Sequence, residues 1–484
     1  MRSRTLITTL TLAMVALALA PGAANAGSQQ WALFQDDARL IASGDAARES
    51  TLDEIKALGA DAVKAQVDWA AVAPGGRRKP SGFDGSDPSQ YPGWGVYDDF
   101  VADAEARGFE VVLALGPPAP SWATRGKRGR YERTDRPSAR EFGRFAEAAA
   151  KRYPSVDVWS IWNEPNLYKY LLPQSKKGVP AAPHLYRSMV RAAVAGFERG
   201  GAGADTILFG ELLPIGSSRC CGPRLNLRPL QFLREMACVD SSYRPFRGRA
   251  ARLRGCDDFK KLNGLDGFAY HPYTRGCGPL CKQENTSDDA TIRVLGRVTR
   301  ALDKLRARRR IGGGRQPIWI TEFDFQSDPP DRILGAKLSR IPGFMGISEL
   351  WLAQPNRRVA AYAQYTMYDS PGDSGLWQGG LRFADGRPKK GVYDAYRLPI
   401  LVRRLGSNAV EVRGASRPGG AGSVVQVQVR SGRSYENLGD PISVRNVRGY
   451  FKARFRLPGA SGKRYRFTAG GHTSPSVKPI TLFR

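Results

Sequence analysis

The chain has 484 residues, 42% of them hydrophobic, enough to bury a full core over more than one domain, which excludes a disordered or fibrous protein. Lys and Arg outnumber Asp and Glu by 74 to 45, a net charge of +29 that favours an anionic neighbour. The basic residues are scattered rather than gathered on one recognition element, so an acidic cell-wall or extracellular polymer suits them better than nucleic acid, although a compositional bias would give the same count.

At the start, Arg2 and Arg4 precede an apolar run from Leu6 to Ala20, and Ala24-Asn25-Ala26 has the small residues of a cleavage site. Residues 1–26 read as a secretory signal. The run is shorter than the roughly 20 apolar residues of a membrane span, so the mature protein is expected to be exported without stable membrane insertion. It is expected to be a monomer, with the cell wall as one location open to it.

From about Gln29 to Pro399, short apolar runs alternate with helical patterns, the signature of βα units and a parallel sheet. The runs are Trp31 to Phe34, Ala62 to Trp69, Glu110 to Leu115, Val156 to Trp162, Thr206 to Gly210, Leu265 to Tyr270, Pro317 to Phe323 and Val359 to Tyr368. Eight such units close a (β/α)8 barrel, expected over residues 27–400. Between them, Ser50 caps a helix to Leu58, Val96 to Ala106 forms a second that stops at Gly108, and Pro137 to Lys151 a third, with Ser138 and Glu141 as a capping box. Leu213 to Asn263 and Gln326 to Arg358 are long for plain loops, and insertions of that kind wall the mouth of a barrel.

After Pro399 the pattern changes to period two in NAVEVRG, SVVQVQVR, GYFKARFRL and KRYRFTAG, separated by turn clusters such as RPGGAGS. That predicts a small antiparallel β-sandwich over residues 401–484.

All six cysteines lie between Cys220 and Cys281, which in an exported chain argues for local disulfides. Neighbouring Cys220 and Cys221 are expected to bridge outward to Cys238 and Cys256, with Cys277 and Cys281 closing a small loop. With three histidines and no second cysteine pair at matching spacing, no metal site is expected.

The chemistry sits at the carboxyl ends of the strands, which open on one face of such a barrel. Glu164 ends the fourth run and Glu322 the seventh. Alternation along the seventh puts Ile318, Ile320 and Glu322 on the inward side and Trp319 and Thr321 toward the helices, so that both glutamates point into one pocket. Two carboxyl groups about 5 to 5.5 Å apart are what retaining glycoside hydrolysis needs: one attacks the anomeric carbon, the other protonates the departing oxygen and then deprotonates water. No metal or cofactor is required for it.

Trp162-Asn163-Glu164-Pro165, His271-Pro272-Tyr273 and Thr321-Glu322 together resemble the clan A glycoside hydrolases, the cellulase-like retaining enzymes, in order and spacing over roughly Ser28 to Pro399. The resemblance implies Glu164 as acid/base, Glu322 as nucleophile, Asn163 on the sugar's 2-hydroxyl, Tyr273 holding Glu322 by its phenol and His271 lining the pocket. Members of the clan usually carry an arginine on strand two, where this chain has Lys64, and Leu115-Gly116-Pro117-Pro118 stands in place of a strand-three histidine. The aromatic platform after strand eight is Tyr368 or Trp377. Glu211 and Asp324 read as solvated loop acids. Among Trp69, Trp94, Trp122, Trp159 and Trp162, core packing is the default, and Trp122 is the one expected to touch substrate.

The function so implied is a secreted retaining hydrolase of O-glycosidic, β-linked bonds in a polysaccharide or oligosaccharide. A transglycosylase would use the same residues up to the second step, and a catalytically silent carbohydrate-binding or wall protein would keep the barrel as scaffold.

Overall fold

The computed structural model describes residues 29–219, 222–372 and 376–482. The expected signal segment, Cys220 and Cys221 lie outside the described residues.

Eight parallel strands close a barrel in the order β1-β8-β7-β6-β5-β4-β3-β2. They are β1 (Trp31–Gln35), β2 (Ala62–Asp68), β3 (Glu110–Gly116), β4 (Val158–Ile161), β5 (Thr206–Leu212), β6 (Gly267–Tyr270), β7 (Ile318–Ile320) and β8 (Val359–Tyr365). Each falls within or against one of the eight apolar runs, because strands buried on both faces need apolar side chains on both. Helices α1 (Asp45–Ala57), α2 (Gly95–Ala106), α3 (Ala139–Arg152), α4 (Ala182–Gly200), α5 (Pro229–Met236), α6 (Gly296–Ala307), α7 (Ile341–Ile347) and α8 (Val392–Arg397) follow the strands in turn.

Local signals were partly right. Ser138 caps α3 by accepting from the Glu141 N–H at 3.3 Å, but the reciprocal arm of the box is absent, since the Glu141 carboxylate pairs with Lys79 at 2.7 Å. Ser50 is no cap. The sequence before it, Asp45 to Glu49, is itself helix-forming, so α1 starts after Gly44 at φ 82° and the Ser50 hydroxyl bonds back to the Ala47 carbonyl at 3.2 Å. The two long segments carry α5 and α7, helices too short to announce themselves by periodicity.

The barrel lumen is filled by Leu33, Val112, Val158, Leu208, Ala269 and Trp319, with small side chains from β2 and β8 completing the plug. This reverses the expected facing of β7. Trp319 points inward and Thr321 follows it, while Ile318 and Ile320 pack with the shell between strands and helices. Apolar residues occupy both faces of these strands, so their order could not say which face was which.

Beyond the barrel, β9 (Ile400–Gly406), β10 (Ala409–Ala415) and β14 (Tyr450–Arg456) form one antiparallel sheet. A second holds β11 (Val424–Ser431), β12 (Ser434–Asn437), β13 (Ile442–Ser443), β15 (Tyr465–Ala469) and β16 (His472–Thr473). Their inner faces share a core in which Phe451 meets Phe467 edge to face at 5.0 Å. This sandwich packs on α7 and the segment after it: Ile347 and Leu350 join Leu401, Ala415 and Tyr450 in one apolar cluster. There the buried Arg417 guanidinium pairs with Glu349, which also accepts from the Tyr450 hydroxyl at 2.8 Å.

Two disulfides are present among the described residues. Cys277–Cys281 is as expected, whereas Cys238 pairs with Cys256 rather than outward with Cys220 or Cys221. The chain after α5 doubles back on itself and brings their Cα atoms to 5.7 Å, inside the range a bridge requires.

Candidate active site

The stretch Trp162-Asn163-Glu164-Pro165-Asn166 is a pinned strand end rather than an ordinary turn. Trp162 at φ 68° and Glu164 at φ 38° both occupy the left-handed region that side chains avoid. The surroundings hold them there. The Trp162 indole donates to the Tyr170 carbonyl at 3.1 Å, and the fully buried Asn166 donates to the carbonyls of Leu213 and Leu227 at 3.0 and 3.1 Å while accepting from the Leu213 N–H at 3.0 Å. Asn166 thereby ties the loop after β4 to the end of β5, and Glu164 is delivered to the barrel mouth.

Glu322 arrives differently. Regular β7 stops at Ile320, so strand alternation no longer governs the side chain two residues on. The Tyr273 hydroxyl donates to Glu322 Oε2 at 3.2 Å, and Lys64 Nζ stands 4.0 Å from Oε1.

Glu211 is not a solvated loop acid. Gly210, at φ 120°, makes a bulge where the β5–β6 register shifts, and a Cβ there would meet the Ala269 carbonyl oxygen at 2.5 Å. The bulge turns Glu211, at φ 47°, into the barrel, where its side chain is fully buried. It accepts from the Ser160 and Thr321 hydroxyls, each at 2.6 Å, and from Lys64 Nζ at 3.2 Å. His271 completes the set: Nε2 bonds to Glu211, and Nδ1 lies 3.1 Å from Glu164 Oε1 and 3.5 Å from Glu322 Oε2. One imidazole thus touches three carboxylates.

The electrostatics follow from that crowding. Burial is the largest influence on His271 and opposes its charge, but Glu322, Glu164 and Glu211 together outweigh it and push its pKa up to about 10. With both ring nitrogens protonated, the imidazolium donates to the acids on either side. Burial likewise pushes Glu211 up, but Lys64, His271 and the Ser160 hydroxyl overcome it and hold Glu211 well below the usual carboxylate range. Glu322 is raised to about 6, by burial first and by Glu164 and Glu211, against the pull of His271 and Lys64.

Asn163, Glu164, Tyr273, Glu322, Asp324 and Trp377 line one cavity of about 370 Å³. The Asn163 Oδ1 is buried there without a hydrogen-bond partner. Of the two candidate platforms, Trp377 is in the cavity wall, edge to face with Tyr273 at 5.2 Å and donating to Asp324 Oδ2 at 2.5 Å. Tyr368 is not: Asp36 accepts from the Met367 and Tyr368 N–H groups, and the Tyr368 ring lies under Arg39 at 4.6 Å. Trp122 also lies elsewhere. Its ring packs edge to face on Trp69 and Phe83, its indole donates to the Pro74 carbonyl at 2.9 Å, and it borders a different cavity with Arg125 and Arg136. Asp324, read as solvated, is buried, and burial holds its carboxyl well above the usual range.

Two groups of side chains have metal-ligand spacing, among the described residues. His184 stands with Cys238 and Cys256, whose sulfurs are bonded to each other and are not thiolates. Glu164, His271 and Glu322 bring one ligand atom each within 4.8 Å, but the Lys64 ammonium and the protonated imidazole already supply the cations that site can balance.

No known protein family matches the chain by sequence, and no curated protein does. Solved structures similar to it include a family 5 xyloglucanase from Paenibacillus pabuli, at 11% identity and a TM-score of 0.44, covering 76% of this chain and 98% of that one. A trimodular GH5_4 subfamily endoglucanase gives 11% and 0.45, covering 95% of this chain and 79% of that one. A calcium-binding mutant of Bacteroides uniformis β-glucuronidase 2 gives 10% and 0.39; the match covers 94% of this chain but only 46% of that longer one.

Proposed function

We propose that the chain is an exported retaining glycoside hydrolase that cleaves β-linked bonds in a polysaccharide or oligosaccharide by double displacement. The observation that carries this reading is the approach of Glu164 and Glu322, whose carboxylates each place an oxygen within 4.8 Å of the other in a cavity open at the barrel mouth. That proximity supports the retaining reading, since inverting enzymes keep their acids roughly 6.5 to 9.5 Å apart to admit a water between them.

Glu322 attacks the anomeric carbon. Tyr273 and Lys64 steady its negative charge without covering it, since Tyr273 gives a single hydrogen bond and Lys64 stays at 4.0 Å. Glu164 gives its proton to the departing glycosidic oxygen, then takes one from the water that hydrolyses the glycosyl-enzyme. His271, bonded to Glu164 and anchored below by Glu211, keeps the acid oriented through both steps. The unpartnered Asn163 Oδ1 accepts from a sugar hydroxyl, an interaction that strengthens as positive charge develops on the ring. The sandwich contributes no residue to the cavity lining among the described residues, which supports its reading as an accessory domain from residue 401.

The test is the stereochemistry of the first product, followed by NMR on a β-linked oligosaccharide. Retention of configuration, abolished by Glu322→Ala, is the expected outcome. An initially inverted anomer, or full activity in that variant, would rule the mechanism out.

A further inference from the structure

Resting on the reading just given, we infer that the substrate is an acidic sugar chain and that Arg275 recognises a uronic acid carboxylate at the mouth of the cavity. Among the described residues, Arg275 is the only basic one lining the cavity that holds Glu164 and Glu322. Among the described residues its guanidinium has no carboxylate within 4.0 Å and makes no hydrogen bond, although the same cavity wall contains three acids. Arg275 is exposed at the rim of the cavity, unlike the buried Arg417 and Arg234, which are engaged by Glu349 and Asp288. An unpaired guanidinium facing a substrate cavity is available for an anion brought by the substrate, and its planar fork fits a carboxylate with two parallel hydrogen bonds.

The backbone under Arg275 is fixed. Its N–H donates to the Gln283 side chain at 2.8 Å, its carbonyl accepts from the Gly278 N–H at 2.9 Å, and the Cys277–Cys281 disulfide closes the loop just after it. Gly276 is pressed against the loop after β7, where a Cβ would come within 2.2 Å of the Gly335 carbonyl oxygen. Beside it, the Thr274 hydroxyl is buried in the same wall with no partner, as is Asn163 Oδ1. Three residues with unsatisfied polar groups therefore line one cavity: a cation exposed at the rim and two uncharged residues whose polar atoms are buried in its wall, a set that suits a sugar with a carboxylate and hydroxyls. The cavity tolerates that charge, because Lys64 and His271 offset the glutamates and burial pushes the Asp324 carboxyl well above its usual range, disfavouring its charge. The net charge of +29 draws such a polymer to the surface as a whole.

The experiment compares soluble oligosaccharides of glucuronan, mannuronan and hyaluronan with their carboxyl-reduced forms, and with a 6-O-sulfated cello-oligosaccharide, using the full chain and its Arg275→Ala and Arg275→Gln variants. We expect at least one acidic substrate to be cleaved with a kcat/KM tenfold or more above its reduced form, and both variants to lose on the order of tenfold to a hundredfold on that substrate while little changed on neutral ones. Equal turnover of acidic and reduced forms, equal losses on both, or hydrolysis of neutral glycosides alone would overturn the inference while leaving the two-glutamate mechanism standing. A preference for the sulfated substrate would overturn the carboxylate assignment. Failure to cleave any glycoside, acidic or neutral, would take down the mechanism and this inference together.

Discussion

Glu211 and His271, both fully buried, are hydrogen-bonded beneath the cavity floor, so that the imidazole reaching Glu164 is itself held by a third carboxylate. The His271 pKa is raised from its ordinary 6.5 to about 10, which means folding favours the imidazolium. The stability this contributes is fully present below pH 6.5 and is lost as pH rises toward 10. Replacing Glu211 with Gln removes one of the charges that raises it, so the alkaline loss, which starts near pH 6.5 in both proteins, should end at lower pH and be smaller in total than in the parent chain. Urea midpoints measured from pH 6 to pH 10 give the answer, and parallel curves for the two proteins would count against it.

On the proposed mechanism, Glu322 should supply the acid limb of activity. It must be ionised to attack, and it is raised to about 6, so kcat/KM should fall as pH drops through that value. Lys64 pulls the Glu322 pKa down, hence Lys64→Met should move the limb upward, on the order of one pH unit. The same change leaves Glu211 buried without its ammonium partner, so a drop in stability should accompany the shift. An unmoved acid limb in a folded Lys64→Met protein would show that Lys64 does not act on the nucleophile.

The barrel could be read before the structure because its eight strands are apolar on both faces and leave continuous runs, and the sandwich because its strands alternate. The glutamates at the ends of β4 and β7 could be read for the same reason, as charges where such runs stop. Glu211 could not. It follows TILFG exactly as a loop acid would, and only the bulge at Gly210, a property of pairing with β6, turns it inward. That glycine was the one available signal. Trp122 misled because a tryptophan after a strand looks the same whether it stacks on sugar or, as here, on Trp69 and Phe83. Thr274, Arg275 and Gln283 had no motif at all; the fold of the β6 loop alone sets them at the cavity.

At the junction of barrel and sandwich, Glu349 depends on Arg417 from across the interface. Arg417→Ala leaves that carboxylate buried with only the Tyr450 hydroxyl, at an expected cost of about 3 kcal/mol or more. Since neither residue lines the cavity, kcat/KM at moderate temperature should be unchanged. A chain ended at Pro399 should suffer more, exposing Ile347 and Leu350, yet keep its chemical step for as long as it stays folded. Denaturant midpoints and turnover of a small soluble glycoside check both; a folded variant that has lost turnover would show that the sandwich helps to shape the site.

The two glutamates should fail in different ways. Without its carboxyl group, Glu164→Ala cannot protonate the departing oxygen, so the first step should slow most for poor leaving groups and least for activated aryl glycosides, which leave without a proton. The second step also loses its base, and azide, which needs no deprotonation, should attack the glycosyl-enzyme and restore turnover as a glycosyl azide of retained configuration. Glu322→Ala forms no glycosyl-enzyme, so a better leaving group should rescue little, and azide entering from the vacated side should give the inverted product. Each loss should be on the order of a thousandfold or more with an unactivated substrate, several kcal/mol of transition-state stabilisation. Rates against leaving-group acidity, with and without azide, separate the roles. Equal losses that ignore the leaving group, or azide products of the opposite configurations, would reverse or refute the assignment of Glu164 as acid/base and Glu322 as nucleophile.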